Sequence, residues 1–292
     1  MKKRLRNISL AIATPVLLFV VMVLVIPFLN FSFTSATLDK PVKPIKIIAH
    51  RGAAGLAPEN TISAFAKAME YNVDMVELDV HLSADDSVIV MHDHNVKRTT
   101  NGEGEIEHLT YGYIKTLDAG SWFDTKFSNE KVPTLREVLQ FVNGRTTVLI
   151  ELKWPKKGTY KNLVKNVLQT IKDCHAENWV VIQSFEQQYL KEMNQAAPGI
   201  PCHQLVFAAP DLLPIYHDRS LGFGDFEPLS FAKSVNISYL YLNKKFIQKM
   251  HDKNMTVYAY TLDSEDKMSK AINLGIDGII TNRPDVAREL LK

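Results

Sequence analysis

The sequence predicts a (β/α)8 barrel, the TIM barrel, and three observations predict it. From residue 45 onward, short runs rich in Val, Ile and Tyr alternate with amphipathic stretches at helical spacing. Strand followed by helix, repeated, is the pattern of parallel strands joined by crossover helices. Polar and charged residues gather where those runs end, the face on which such a barrel carries its active site. An open doubly wound sheet is the alternative, but its first turn would carry a nucleotide-binding glycine fingerprint, and HRGAAGLAPEN lacks that spacing.

Taken in order, the chain opens with Lys2, Lys3, Arg4 and Arg6. The apolar, uncharged run Ile8–Phe33 follows, longer than the roughly 20 residues needed to cross a bilayer. Residues 1–35 therefore read as an uncleaved single-pass membrane anchor, preceding the barrel as a transmembrane helix. The basic residues ahead of the span favour an extracytoplasmic domain. The alternative is a signal removed near Ser35 and Ala36, leaving a secreted protein. Residues 36–46, with LDKPVKP, form a proline-punctuated linker, and the barrel occupies 47–292.

Within the barrel, IKIIAH leads to the helical TISAFAKAMEY, TTVLIELK to NLVKNVLQTIKDC, and WVVIQSF to EQQYLKEMNQ. HQLVF follows, then ISYLYLN with KKFIQKMHD, TVYAYTLD with SEDKMSKAINLG, and DGIITN with DVARELL. MVELDV and SVIVMH add two more candidates, making nine for eight places, so one is expected to be irregular or outside the barrel. From Asn95 to about Pro133 the alternation breaks in a stretch rich in Gly, Thr and aromatic residues. It reads as a small insertion after the second or third strand that covers one rim.

Composition excludes several classes of function. A chain of 292 residues, 46% hydrophobic and 23% charged, is globular material for one large domain. Its formal net charge of +2 falls to about −2 once the four N-terminal basic residues are set aside, so no nucleic-acid partner is expected. Cys174 and Cys202 have no motif spacing, and their pairing stays open, as does the oligomeric state.

His50 and Arg51 end the first run, Glu77 and Asp79 lie in the second, His92 and Asp93 end VIVMHD, and Glu151 and Lys153 end VLIELK. Ser184 follows VVIQ, and later strands are expected to close on Asn243, on Tyr260 with Thr261, and on Thr281 with Asn282. A period of two places Glu77, Asp79 and His81 on one strand face, which by itself describes any half-exposed strand. If residues 75–81 and 87–92 form a tight hairpin, His92 comes close to Asp79; if both are parallel strands, they still converge on one rim. Three carboxylates around one mouth are costly unless a cation neutralises them, and oxygen-only ligands select one hard divalent ion, Ca2+ or Mg2+. The structural alternative is that Glu151 merely pairs with Lys153. Arg51 and Lys153 supply fixed positive charge for an anionic substrate such as a phosphate. His50 and His92 suit a general acid and base, because an imidazole exchanges protons near neutrality. His81 stays unassigned, and HDH, with His94, lacks the further histidines of a zinc site.

In this order, HRGAAGLAPENT, VELDVHLSADDSVIVMHD, VPTLREVL, IELK, IQSF and DGIITNRP resemble the glycerophosphodiester phosphodiesterase family, of the phospholipase C-like phosphodiesterase superfamily. The resemblance runs from about Ile47 to the C-terminus. It implies metal binding by Glu77, Asp79 and Glu151, catalysis by His50 and His92, and phosphate contacts from Arg51 and Lys153. It also implies hydrolysis of a small-molecule glycerophosphodiester to glycerol 3-phosphate and an alcohol, through attack by the glycerol 2-hydroxyl and a cyclic phosphate. Glu59 is expected to line the pocket, with Asn60 lining it or capping the next helix, and Ser184 and Tyr260 join the substrate-binding set. The family usually carries tryptophan at the position of Tyr260 and an acidic residue at that of Asn282, the latter expected to lie away from the metal. The alternatives are lysophospholipase D-type cleavage of lysophospholipids, a related barrel lipase of the phospholipase D or phosphatidylinositol-specific type, and a non-catalytic barrel that binds phospholipid head groups.

Overall fold

The computed structural model of the chain describes residues 43–209, 215–219 and 221–292. In chain order the elements are β1 (Lys46–Ala49), α1 (Ile62–Met69), β2 (Met75–Leu82), β3 (Val88–Val90), α2 (Tyr111–Ile114), α3 (Leu135–Val142), β4 (Thr147–Leu152), α4 (Leu163–Asp173), β5 (Val180–Ser184) and α5 (Gln187–Ala196). There follow β6 (Cys202–Val206), β7 (Ile215–His217), β8 (Leu221–Phe223), β9 (Ser234–Ser238), α6 (Lys244–His251), β10 (Thr256–Tyr260), α7 (Glu265–Leu274), β11 (Gly278–Thr281) and α8 (Pro284–Leu290).

Eight strands pair in parallel in the order β1, β11, β10, β9, β6, β5, β4, β2, and β2 pairs again with β1 to close the ring. The strands are apolar on both faces because one side meets the helices and the other the barrel interior. Ile47 and Ile48 on β1 are both fully buried. Inside, Ile48, Met75, Leu149, Val181, Tyr258 and Ile280 pack into one apolar layer drawn from six strands. The polar site sits above that floor.

The ninth candidate strand is β3, which folds back antiparallel on β2 with Val80 opposite Val90 and His81 opposite Ile89. A turn at residues 83–87 makes the reversal, with the Ser83 hydroxyl donating to Asp85 Oδ1 at 2.6 Å and accepting from the Ser87 amide at 3.0 Å. The insertion has its own small core, in which Val96, Ile106, Ile114, Leu117 and Val132 pack on Ile89 and Met91. At its far end Thr134 and Glu137 form a reciprocal capping box that starts α3.

Two expectations need correction. The strand expected over 237–243 is β9, at 234–238; Tyr239–Tyr241 is a 3-10 turn, and Asn243 caps α6 by accepting from the Phe246 amide at 2.8 Å. The apolar ISYLYLN looked more like a strand than SVNIS, but the polar side chains of Ser234 and Asn236 bond each other inside the barrel. The crossover between β6 and β9 also carries the β7–β8 hairpin, and no helix, among the described residues. Cys174 and Cys202 are free thiols. The expected anchor, residues 1–35, and most of the linker lie outside the described residues, among which no helix is long and apolar enough to cross a membrane.

Candidate active site

The parallel register places Asp79 beside Glu151 on neighbouring strands, with Glu77 two residues earlier on the same face as Asp79. One carboxylate oxygen from each of the three lies within 4.8 Å of the others, and all three side chains are buried. Glu77 accepts from the Arg51 amide at 2.9 Å and from Gln183 Nε2 at 3.1 Å. Gln183 in turn accepts from Asn236 at 2.8 Å, so a polar chain crosses the interior and fixes Glu77 from below. Asp79 accepts from Asn60 Nδ2 at 2.9 Å. Asp79 Oδ1 and Glu151 Oε1 accept no hydrogen bond and face the Lys153 ammonium as ion-pair partners, at 3.6 and 2.9 Å.

The charges are uneven. Burial, then Asp79 and Glu151, push the Glu77 carboxyl well above the usual range. Burial also raises Glu151, with Lys153 opposing it and Asp79 adding to it. For Asp79 burial acts upward too, but Lys153, His92, Arg51 and His50 outweigh it and hold the carboxylate ionised. Two buried oxygens without hydrogen bonds, in a cluster with carboxyls held above their normal range, are what a hard divalent cation would satisfy. The donor set fits one such ion through Glu77, Asp79 and Glu151. The Glu151–Lys153 pair is real but incomplete, because the lysine is shared with Asp79.

The two histidines reach this cluster from different elements and differ in what holds them. His50 follows β1, and its Nδ1 lies 2.7 Å from Asn282 Oδ1. The Asn282 amide nitrogen donates to Asp263 at 2.8 Å, which orients the oxygen toward His50. His50 Nδ1 must then carry the hydrogen, leaving Nε2 as an acceptor. Burial, then the Arg51 charge, lowers its pKa to about 4, so the ring is neutral. His92 follows β3, and its Nδ1 lies 2.7 Å from Asp93 Oδ1, a carboxylate rather than an amide. The hairpin brings His92 toward Asp79, as cross-strand pairing implies, with the Met91 amide donating to the Asp79 carbonyl at 3.0 Å.

Arg51 adopts φ 51° and sends Nε to 3.5 Å from Asp79 and Nη1 to 2.8 Å from Glu59. The next residue, Gly52, has φ +78°, and a Cβ there would sit 2.7 Å from Ala64 of α1, so only glycine lets the loop pass. Glu59 is bound by Arg51 and Arg98 and lines a small pocket with Asn60 and His92. Asn60 bonds Asp79, and the helix cap is Thr61, which accepts from the Ala64 amide. The Ser184 hydroxyl is fully buried, donates to the Leu152 carbonyl and accepts from the Glu186 amide, which places it in the wall between β4 and β5. Tyr260 donates to the Val206 carbonyl at 2.9 Å and presents its ring to Phe185, which meets Trp154, forming an aromatic arc along β4, β5 and β10.

Several residues of the site were not read from the sequence. Asn282, expected to lie away from the metal, holds His50. His81, lowered to about 3 by burial, is neutral and bonds the His92 carbonyl through Nε2 at 3.1 Å and the Tyr160 hydroxyl through Nδ1 at 3.1 Å. Gln183 lies inside the quoted IQSF motif but was given no role, and its hydrogen bond shows that it reaches Glu77. Arg98, inside the insertion, had no strand-end signal at all.

The family model for the glycerophosphoryl diester phosphodiesterase family matches residues 50–286. A glycerophosphodiester phosphodiesterase of Caldanaerobacter subterraneus is 33% identical over 84% of this chain and 97% of that protein. One from Bacillus subtilis is 31% identical over 94% of this chain and 97% of its own length. Among solved structures, an Oleispira antarctica phosphodiesterase in complex with the product sn-glycerol-3-phosphate aligns with a TM-score of 0.74 at 25% identity, covering 84% of this chain and 96% of that one.

Proposed function

The chain belongs to the glycerophosphoryl diester phosphodiesterase family and is a phosphodiester hydrolase, and we propose that its barrel mouth cleaves glycerophosphodiesters to glycerol 3-phosphate and an alcohol with a His50–His92 pair and one divalent cation. The observation that carries this reading is the cluster of Glu77, Asp79 and Glu151 flanked by two imidazoles with different supports. Arg51 and Lys153 hold the phosphate. His50, neutral and with Nε2 bare, takes the proton from the glycerol 2-hydroxyl as its oxygen bonds to phosphorus. His92 delivers a proton to the departing alcohol oxygen as the old P–O bond breaks, and Asp93 stabilises the ring while it carries charge. Water then opens the cyclic phosphate with the two roles reversed. The chemistry that a bound hard divalent ion supplies is neutralisation of phosphate charge and acidification of a bound hydroxyl. Ca2+ and Mg2+ both suit an all-oxygen set.

A second substrate class is supported by the aromatic arc of Trp154, Phe185 and Tyr260, which offers apolar contact to the glycerol side of a lysophospholipid. Export of the domain, with residues 1–35 as a membrane anchor, rests on the uncharged run Ile8–Phe33 behind four basic residues. Purified residues 38–292 are expected to release glycerol 3-phosphate from glycerophosphocholine only with a divalent ion present. His50→Ala and His92→Ala are each expected to lower kcat at least about 10²-fold without lowering Tm. No turnover of any diester or lysophospholipid with Ca2+, Mg2+ or Mn2+ would leave a head-group-binding module instead.

A further inference from the structure

We propose that Arg98, in the insertion, is a positioning residue that locks the phosphate clamp Arg51 and the acid His92 into one register, through Glu59 and Asp93. The inference rests on the roles given above to Arg51 and His92. Arg98 Nη1 and Nη2 donate to the two oxygens of Glu59 at 2.8 and 2.7 Å. Its Nε and Nη2 donate to the two oxygens of Asp93 at 2.6 and 3.2 Å. Glu59 then accepts from Arg51 Nη1 at 2.8 Å, and Asp93 receives His92 Nδ1 at 2.7 Å. One planar guanidinium thus fixes two carboxylates, and each carboxylate fixes one working side chain.

The chemistry makes the link specific to Arg98. Glu59 and Asp93 are both acceptors when ionised, so they cannot hydrogen-bond each other, and without a cation between them they repel. Arg98 itself donates to neither Arg51 nor His92, so its effect on them passes through the carboxylates. A lysine would keep the charge but not the fork, because its ammonium cannot hold two carboxylates in a fixed plane. The guanidinium is held in place from behind. Val96, two residues earlier, is buried in the insertion core, and its amide donates to the Gly104 carbonyl at 3.0 Å. Asn95 caps the 3-10 turn that carries Arg98 by accepting from the Lys97 amide at 2.9 Å. The insertion therefore contributes a part of the working geometry as well as a cover for the rim.

A double-mutant cycle on the full chain tests this, with kcat and KM for glycerophosphocholine measured for Glu59→Gln, Asp93→Asn and the pair, in wild-type and Arg98→Ala backgrounds. Glu59→Gln is expected mainly to raise KM, because Arg51 loses its brace, and Asp93→Asn mainly to lower kcat. With Arg98 present the two losses in kcat/KM are coupled by about 5-fold or more, and in Arg98→Ala they multiply independently. Arg98→Ala moves kcat and KM together, millimolar guanidinium restores part of both, and Arg98→Lys restores neither. Arg98 is 44% exposed at its side chain, and an unchanged Tm for Arg98→Lys separates positioning from folding. Independent losses in both backgrounds, or an Arg98→Lys enzyme equal to wild type, would overturn the role of Arg98 alone. A wild-type chain that cleaves no diester, or full activity in His92→Ala, would remove the functional reading beneath it.

Discussion

Replacing Lys153 with methionine tests whether the carboxylate cluster is built for two cations, one resident in the chain and one acquired. Lys153 Nζ lies 2.9 Å from Glu151 Oε1 and 3.6 Å from Asp79 Oδ1. At an effective dielectric near 20 those separations correspond to gross attractions of roughly 6 and 5 kcal/mol. Most of this is offset by the cost of taking three charges out of water, so removing one partner is expected to destabilise the metal-free protein by about 3–5 kcal/mol. Protonation offers a partial escape, and Glu77 and Glu151 already sit above the usual carboxylate range. Without Lys153 the folded carboxyls hold protons that the unfolded chain has released above about pH 4.5, so stability falls as pH rises, by about 1.4 kcal/mol per unit for each extra proton. The assay is urea unfolding of wild type and Lys153→Met in EDTA, at pH 6 and pH 8. The expected gap is about 3–5 kcal/mol, wider at pH 8 than at pH 6. A saturating divalent ion should narrow it, because binding to the folded state alone adds stability. A gap below about 1 kcal/mol, or one that ignores pH, would refute the idea that Lys153 compensates the cluster.

Three further outcomes follow from the same geometry. His203 packs edge to face on Tyr258 inside the barrel, its Nδ1 has no hydrogen-bond partner, and burial lowers its pKa to about 3. Below pH 6.5 the unfolded chain takes up a proton that the folded chain refuses until about pH 3. Stability is therefore lost as pH falls through that window, at up to about 1.4 kcal/mol per unit, and His203→Phe should remove that slope in urea melts between pH 6 and pH 4. Asn282→Leu removes the acceptor of His50 Nδ1 and should lower kcat about 10- to 100-fold with KM little changed; an unaltered kcat would show that Asn282 does not set the tautomer. In thermal melts, divalent ions should raise the Tm of the metal-stripped wild type by several degrees and leave that of Glu151→Gln nearly unmoved.

The barrel was legible because its strands announce themselves: parallel strands covered on both faces need apolar runs, and IKII, VLIEL and VVIQ are such runs. SVNIS was missed for the converse reason. Its Ser234 and Asn236 point into the barrel and satisfy each other and Gln183, so a buried strand reads as polar loop. The residues at strand ends could be found by position alone, since that is where the fold presents side chains to a ligand. Arg98, Asn282 and His81 bond Glu59, His50 and Tyr160, partners that lie far off in sequence, and no local pattern states which each will meet. Ser184 shows the opposite error, a strand-end hydroxyl that the backbone has already taken.

His50 and His92 are chemically identical in the sequence, and the structure separates them by what lies behind each ring. An amide oxygen behind His50 can fix a tautomer but offers no net charge to a cation, and the burial of that ring opposes protonation. A carboxylate behind His92 fixes the same tautomer and also stabilises the ring when it is charged. His50 is thus neutral with Nε2 bare, while His92 has a carboxylate behind its ring, an asymmetry that suits the proposed removal of a proton at one oxygen and delivery at another. An acidic side chain in place of Asn282 would put a carboxylate behind both rings, leaving burial and the Arg51 charge to keep His50 neutral against it. The amide at 282 keeps the supports of the two rings distinct even though Asp79 contributes negative charge toward both.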